Sequence, residues 1–154
     1  MIDETDGLSD ALRPLLLYWV AARGGKLMPS RADIDPVTMP RRLLPNIVLV
    51  DVVPASFRFR YRVMGTAVSR MLGADWTGRY VDEVPELGEQ LHAQYLDTVE
   101  SGRPTLRFNE RERFDDVLMQ HRIVRSERLL LPLSNTDRTV FMVLGGHLEQ
   151  SVVV

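Results

Sequence analysis

The sequence predicts an α+β fold in which five antiparallel strands form one sheet and helices pack on one of its faces. A β-branched run at residues 46–53 is followed by residues 57–64, where apolar side chains and arginines strictly alternate. An apolar stripe with helical spacing runs through residues 85–101. Three more strand-like segments end the chain, so helices stand between the second and third strands.

The composition is that of an ordinary globular domain. The chain has 154 residues, of which 45% are hydrophobic and 26% charged, and this length suits one domain. Its net charge of −2 gives no general attraction to nucleic acid or to an acidic membrane. The absence of cysteine excludes disulfides, thiolate metal sites and thiol nucleophiles. Because His92, His121 and His147 share no short spacing, no metal site is expected.

We expect a cytoplasmic protein. The apolar stretch near the start, residues 15–22, is much shorter than the roughly 20 residues that span a bilayer. Residues 1–10 are acidic, whereas a signal peptide begins with a basic segment.

A helix is predicted over residues 9–23. Ser9 or Asp10 can cap its first turn, and Gly24 and Gly25 end it, because glycine readily adopts the left-handed conformation found at helix ends. Its apolar residues form one stripe: Leu12, Leu15, Leu16, Trp19 and Val20. This stripe must be buried, either against the helix's own domain or against a second copy of the chain.

Residues 26–45 form the predicted connector between this helix and the sheet. They contain four prolines and no long periodic run, which favours an ordered connector with one short helical turn. Ser30 and Asp33 have the spacing of a capping box. We therefore divide the single domain into an N-terminal part, residues 1–45, and a core, residues 46–150.

The hairpin of residues 46–53 and 57–64 is the clearest local prediction. Strand alternation places Phe57, Phe59, Tyr61 and Val63 inward and Arg58, Arg60 and Arg62 outward. The arginine stripe indicates a solvated or helix-covered face, with a patch for an anion or a partner as the alternative. Nucleic acid is not expected as a partner, because the aromatic side chains that would stack on bases lie on the opposite face.

Helices and strands also follow this hairpin. A short helix is predicted over residues 65–73, a turn over residues 75–78 and a long helix over residues 85–101. The buried face of the long helix carries an apolar residue at every fourth position: Leu87, Leu91, Tyr95 and Val99. The last three strands are predicted at residues 105–114, 118–133 and 139–148, with a turn at residues 135–137.

This order of elements resembles a PAS domain. The general pattern is carried by the short helix that ends in Gly73, the Gly-Arg and acidic residues of 77–83, and the long helix after them. Longer motifs resemble a stand-alone PAS-like family that is widespread in alphaproteobacteria. These motifs are Tyr18-Trp19, Arg23-Gly24-Gly25, residues 28–36, Leu43-Leu44-Pro45, residues 59–62 and residues 128–133.

The resemblance implies a sheet with the strand order 2-1-5-4-3, so that residues 57–64 form an edge strand whose charges discourage pairing with another sheet. It also implies a sensory module without catalysis of its own. A cavity between the sheet and the long helix would hold a small ligand, and the N-terminal helix would form a homodimer. The partner would be a signalling protein such as a sensor kinase. The missing cysteine excludes a flavin photosensor of the cysteinyl-adduct type.

The candidate residues for this cavity are Tyr61, Met71, Trp76, Leu91, His92, Tyr95, Val99 and His121. Core packing is the ordinary alternative for the aromatic residues, and a structural or surface role is the alternative for His121. No cofactor is required by this set.

Three other functions stay open. Haem-binding PAS domains carry their ligating histidine on the long helix, and Pro85, His92 and Tyr95 have the spacing found there. Against haem, His92 lies roughly 60° from the centre of the apolar stripe. A small cone-shaped isomerase or dehydratase would use Asp82 or His121 as a base beside Tyr61. A dimerisation adaptor with a filled core is the third alternative.

Overall fold

The computed structural model describes residues 5–153, and within this range the chain forms three α-helices and five β-strands. The helices are α1 (Arg13–Arg23), α2 (Thr66–Leu72) and α3 (Gly88–Ser101). The strands are β1 (Ile47–Val53), β2 (Arg58–Met64), β3 (Thr105–Asp115), β4 (Gln120–Leu133) and β5 (Met142–Val153). Short 3₁₀ helices are formed by Arg31–Asp33, Arg41–Asn46 and Val81–Glu83. Residues 1–4, which belong to the predicted N-terminal part, lie outside the described residues.

The strands form one antiparallel sheet in the order β2-β1-β5-β4-β3. This order confirms the predicted α+β class and the predicted edge position of β2. The edge is partly covered by residues 78–80, which precede the 3₁₀ helix Val81–Glu83. The Tyr61 amide donates a hydrogen bond to the Arg79 carbonyl at 2.9 Å, and the Gly78 amide donates one to the Tyr61 carbonyl at 2.7 Å.

Helices cover both faces of this sheet. On one face, α3 packs so that the ring of Tyr95 stacks on the ring of Phe59, with centroids 5.5 Å apart. On the other face, α1 lies so close to β5 that a Cβ placed on Gly146 would be 2.7 Å from Leu15 Cδ2. The helices between β2 and β3 thus share one face, as predicted, and α1 is the flanking helix that closes the second.

Most of the apolar stripe of α1 is buried against its own domain, which decides between the two predicted alternatives. The prediction was wrong for Val20, which lies on the outer side of the helix and is 40% exposed. Leu12, Leu15 and Trp19 are buried in the core. The indole Nε1 of Trp19 donates a hydrogen bond to the carbonyl of Pro132 in β4 at 2.9 Å. The helix is therefore an integral part of the fold.

The alternation predicted for β2 holds only in its middle. Phe59 and Tyr61 are buried, but Phe57 is 68% exposed and Val63 is 49% exposed. Phe57 precedes the strand and adopts a positive φ of 50° in the turn. The pairing with β1 shifts by one residue at Arg62, which is a β-bulge and turns Val63 away from the core. The predicted inward positions of Phe57 and Val63 were therefore wrong.

The long helix begins later, and buries a different face, than its apolar residues predict. It starts at Gly88 instead of residue 85, because Glu86 adopts a φ of 66° that no helix accommodates. Its buried residues are Gly88, Leu91, Gln94, Tyr95 and Thr98, whereas Leu87 and Val99 are only partly buried. The buried face of the helix is thus rotated relative to the predicted apolar stripe, and this rotation brings the polar side chains of Gln94 and Thr98 into the core.

Other boundaries differ from the predictions by a few residues. α1 begins at Arg13, although Ser9 Oγ accepts a hydrogen bond from the Leu12 amide at 3.3 Å, as a capping residue does. The connector contains two 3₁₀ helices instead of one, and its capping box of Ser30 and Asp33 is confirmed. β5 begins at Met142, because residues 134–141 form an irregular connection from β4.

Candidate functional site

A cavity of about 190 Å³ opens between the sheet and the helices α2 and α3. Its helix side is mainly apolar and is lined by Met71, Leu72, Leu87 and Leu91, with Gln90 as a polar neighbour. Its sheet side is polar and includes Asn109, Ser126, Arg128, His147 and Glu149. A cavity of about 150 Å³ can hold a benzene-sized molecule in a protein interior, so this space suits a small organic molecule.

Arg128 is the charged group at the closed side of the cavity. It lies in β4, and the residue is only 5% exposed. Its Nε donates a hydrogen bond to Gln94 Oε1 at 2.6 Å, and its Nη2 donates one to Asn109 Oδ1 at 3.1 Å. These two neutral amides hold the guanidinium in one orientation without neutralising it.

Gln94 is itself fixed by the backbone and by two threonines. Its Nε2 donates to the Arg128 carbonyl at 3.1 Å and to Thr105 Oγ1 at 3.2 Å. Thr98 Oγ1 lies 2.7 Å from Thr105 Oγ1, within hydrogen-bond distance. Because Gln94, Thr98 and Thr105 all have hydrogen-bond partners, this buried polar network joins α3 to β3 and β4.

No carboxylate of the described residues lies within ion-pair distance of Arg128. Burial lowers the pKa of Arg128, and the groups that act on it besides are Tyr95, Tyr61 and Arg107, none of which is a carboxylate. A guanidinium stays protonated throughout the physiological pH range. The neighbouring Glu127 accepts hydrogen bonds from the amide and the hydroxyl of Ser9, on the side of α1. The cavity therefore contains a buried positive charge without a counter-ion from the described residues.

His147 lies directly opposite Arg128, on the neighbouring strand β5. Its ring is buried, and its Nε2 atom has no hydrogen-bond partner among the described residues. Burial, reinforced by the charge of Arg128, lowers the pKa of His147 to about 3. The imidazole is consequently neutral at physiological pH.

Two tyrosine hydroxyls on the same face of the sheet also lack partners. The hydroxyls of Tyr61 and Tyr95 are buried and form no hydrogen bond with a described residue. Burial raises the pKa of both tyrosines, although the charge of Arg128 acts in the opposite direction. Both remain phenols, which can donate hydrogen bonds.

The mouth of the cavity is mainly acidic. Glu86 and Glu110 are exposed there. Glu149 forms an ion pair with Arg111, whose Nη2 lies 3.6 Å from Glu149 Oε2. At the mouth, the carboxylates of Glu86 and Glu110 thus have no cation as an ion-pair partner among the described residues. This charge distribution disfavours the entry of molecules with several negative charges.

The structure brings part of the predicted residue set to this cavity. Met71 and Leu91 line it, whereas Tyr61 and Tyr95 do not, although the charge of Arg128 acts on both tyrosines. Trp76 is buried, and its indole donates to the Leu72 carbonyl at 3.3 Å instead of facing this space. Val99 is a partly buried core residue that does not line the cavity.

The two predicted histidines lie elsewhere. His92 is half-buried, its ring centroid lies 5.1 Å from that of Phe59, and its Nδ1 atom is buried without a partner. It does not line this cavity. His121 is exposed near the tip of the β3–β4 hairpin, with its ring 5.0 Å from Phe114, so it does not belong to the cavity.

The groups required by the isomerase alternative are separated. Asp82 accepts two hydrogen bonds from Arg58, at 2.9 and 2.7 Å, which lower the pKa of its carboxyl group and make it a weaker base. His121 is at the far hairpin, and Tyr61 is buried beneath α3. No acid–base pair therefore forms beside Tyr61.

Two of the three arginines in the stripe of β2 are engaged with their own chain, whereas the exposed Arg60 forms no ion pair with a described residue. Arg58 pairs with Asp82 and lies 3.6 Å from the ring centroid of Tyr80, and Arg62 pairs with Asp51 at 3.0 Å. These contacts favour the structural interpretation of the stripe over an anion-binding patch.

Within the part of the chain that the structure describes, no cluster of three or more His, Asp or Glu side chains is arranged to hold a metal ion. In that same part, no helix combines the length and the apolar character that crossing a bilayer requires.

Comparisons with known proteins give a family and two similar folds. A family model described as PAS domain matches residues 8–148. No curated protein matches the chain. The chain is similar to the PAS domain from Bordetella pertussis BvgS, with 18% sequence identity and a TM-score of 0.44, over 88% of this chain and 85% of that chain. It is also similar to a Rhodobacter sphaeroides LOV protein, with 16% identity and a TM-score of 0.44, over 67% of this chain and 57% of that chain.

Proposed function

Because the chain belongs to the PAS domain family, we propose that it is a sensory module that binds a small ligand between its sheet and α3 and reports this binding to a signalling partner. The observation that carries the proposal is the cavity of about 190 Å³, which has an apolar helix side and a polar sheet side. Members of this family are typically sensory and not catalytic, and the separated acid–base candidates agree with a module that performs no reaction of its own.

The two faces of β4 and β5 give the module a route for its signal. Arg128 and His147 line the cavity, whereas the carboxylate of the adjacent Glu127 accepts hydrogen bonds from Ser9, before α1, and Gly146 faces α1 itself. A ligand that shifts these strands therefore changes the position of α1 on the sheet. Glu127 is linked to this helix because it accepts hydrogen bonds from Ser9, which precedes the helix. Such coupling requires that the ligand binds one arrangement of the strands better than another.

The outer side of α1 is the surface we assign to the homodimer. Leu17 is 60% exposed and Val20 is 40% exposed on this helix, although its other face is fully covered by the sheet. Two copies that bury these side chains against each other would form a symmetric contact. A sensor kinase or another signalling protein would read the state of this surface.

Native mass spectrometry of the purified full chain tests whether the cavity holds a ligand. We expect a small mass excess that disappears on denaturation and that is absent from the variant Met71→Trp, whose larger side chain fills the space. The matched control is Thr66→Trp, at an exposed position of α2 that does not line the cavity. A wild-type protein that carries no extra mass, and that gains no thermal stability from a library of small metabolites, contradicts the proposal.

A further inference from the structure

We propose that the ligand is a small monocarboxylate, whose carboxylate pairs with Arg128 and whose short apolar body contacts the ends of α2 and α3. This inference rests on the proposed function and names the chemical class of its ligand. It assigns to Arg128 the role of the recognition residue, and to Gln94 and Asn109 the role of positioning residues that hold the guanidinium.

The first argument is the unbalanced charge. A buried cation is costly unless an anion and hydrogen bonds compensate it. Arg128 has two hydrogen bonds to neutral amides and no described carboxylate within ion-pair distance. The described residues also provide no acceptor for its Nη1 atom. An incoming carboxylate supplies both the missing charge and the missing acceptor.

The second argument is the set of unpartnered groups near this charge. The Nε2 atom of His147 and the hydroxyls of Tyr61 and Tyr95 are all buried without a hydrogen bond. His147 is the cross-strand neighbour of Arg128, and both residues line the same cavity. Buried polar atoms without partners are rare in folded proteins. Tyr61 and Tyr95 do not line the cavity, so Nε2 of His147 is the unpartnered atom beside Arg128 that a polar molecule in this space would satisfy.

The third argument is the division of the cavity surface, which defines the rest of the ligand. Opposite the sheet, the lining is mainly apolar: it includes the side chains Met71, Leu72, Leu87 and Leu91, with Gln90 and Glu86 as its polar members. An apolar body gains from contact with the apolar side chains because its surface leaves water.

The charge at the mouth disfavours polyanions. Glu86, Glu110 and Glu149 surround the entrance, and the described structure pairs only Glu149 with a cation, Arg111. A phosphate monoester or a dicarboxylate would bring a second negative charge close to these groups. A single carboxylate that reaches the inner end of the cavity avoids this repulsion.

Isothermal titration calorimetry of the full chain, after removal of any copurified molecule, tests the inference. The probes are acetate, butyrate and benzoate, each matched with its neutral amide: acetamide, butyramide and benzamide. We expect butyrate or benzoate to bind at least about tenfold more tightly than its amide, the difference expected from a charge-assisted hydrogen bond. Phthalate, which adds a second carboxylate to benzoate, should bind more weakly than benzoate.

Two variants show which positive charge causes the tighter binding of the acid than of its amide. In Arg128→Met, which keeps a long side chain but removes the cation, acid and amide should bind with similar affinity. In Arg111→Met, which removes the cation at the mouth, the preference for the acid should persist. Arg128→Lys keeps the positive charge at this position. It therefore separates the effect of the charge from the effect of poor folding if the Arg128→Met protein folds poorly. Circular dichroism of each variant checks that the fold is retained.

The outcomes separate this inference from the proposed function. Equal binding of acids and amides by the wild type overturns the carboxylate assignment and leaves a ligand-binding cavity. If the preference for the acid disappears in Arg111→Met but survives in Arg128→Met, the carboxylate binds at the mouth of the cavity. This result also overturns the assignment of the carboxylate to Arg128. If none of the six probes binds, while copurified mass is present in wild type and absent from Met71→Trp, the ligand class is wrong but the sensory proposal stands.

Discussion

At the scale of single residues, the unusual feature is a pair of basic side chains buried side by side. Arg128 and His147 face each other across β4 and β5 under α3. The guanidinium cannot lose its proton, so the imidazole stays neutral instead. Few observations in the sequence point to this pair, because residues 19 positions apart become neighbours only through the strand register.

The neutral state of His147 predicts a pH-dependent stability. Its pKa falls from 6.5 to about 3 on folding. Above pH 6.5 neither state binds the proton, whereas below it the unfolded chain does and the folded chain does not. The free energy of unfolding should therefore decrease by about 1.4 kcal/mol per pH unit as the pH falls through this window.

Urea denaturation of wild type and His147→Gln at several pH values checks this prediction. The variant should lose most of the slope between about pH 6 and pH 4, since it has no proton to bind there. Asp33, whose pKa is lowered to about 2 by its hydrogen bonds with Lys26 and Ser30, affects stability only below its ordinary value of 3.8. A slope that is the same in both proteins would show that other groups cause it.

At the scale of secondary structure, the start of α3 shows how packing overrides propensity. The sequence places the helix start at Pro85, a residue typical of the first turn. The helix begins instead at Gly88, where a Cβ would lie 2.4 Å from the carbonyl oxygen of Asp82. The close approach of two backbone segments, and not the helix preference of the residue, requires glycine at this position.

Exchanges of glycine and alanine within α3 test this interpretation. Ala93→Gly, at an exposed position, should cost about 1 kcal/mol because glycine weakens a helix. Gly88→Ala, which propensity alone predicts to be stabilising, should instead destabilise the protein by about 1–3 kcal/mol through overpacking. Chemical denaturation measures both. An increase in stability for Gly88→Ala would mean that the contact with Asp82 relaxes easily.

At the scale of the whole molecule, the sheet lines the cavity with one face and packs against α1 with the other. The same two central strands carry Arg128 and His147 toward the cavity and Glu127 and Gly146 toward α1. Because Leu12, Leu15 and Trp19 are buried, α1 cannot leave the sheet without exposing the core. We therefore expect the helix to transmit small shifts of its position and not to detach.

The proposed homodimer is tested by charges on the outer side of α1. Leu17→Glu combined with Val20→Glu should convert a dimer into a single chain without changing the circular dichroism spectrum, since both side chains point away from the core. Light scattering coupled to gel filtration measures the mass. The control is Val117→Glu, at another exposed apolar position, in the β3–β4 turn. A mass that changes only in this control would place the interface at the hairpin.

Much of the fold could be predicted because helices and strands produce patterns among residues that are close together in the sequence. The alternation around Phe59 and Tyr61 predicts β2, and the glycines that end the helices, such as Gly73 and Gly102, adopt positive φ values. The bulge at Arg62 was not predictable from alternation, since a bulge depends on how the partner strand pairs.

The candidate site could be predicted only in part. Leu91 and Tyr95 follow from the apolar periodicity of the helix, but Gln94 and Thr98 do not, because a polar residue between apolar ones is ordinarily solvent-facing. One signal was present: Arg128 stands two residues before Leu130, so in a strand both side chains point to the same face.

By itself, the sequence determined the elements, their order, the sheet topology implied by its family motifs, and the exclusion of cysteine chemistry. Only the tertiary structure decided that α1 closes the second face of the sheet and that Arg128 lies beside His147 without a counter-ion from the described residues. The physical reason is distance along the chain. Helices and strands follow from neighbours within a few residues, whereas a cavity is assembled from side chains that only the register of the sheet and the rotation of a helix bring together.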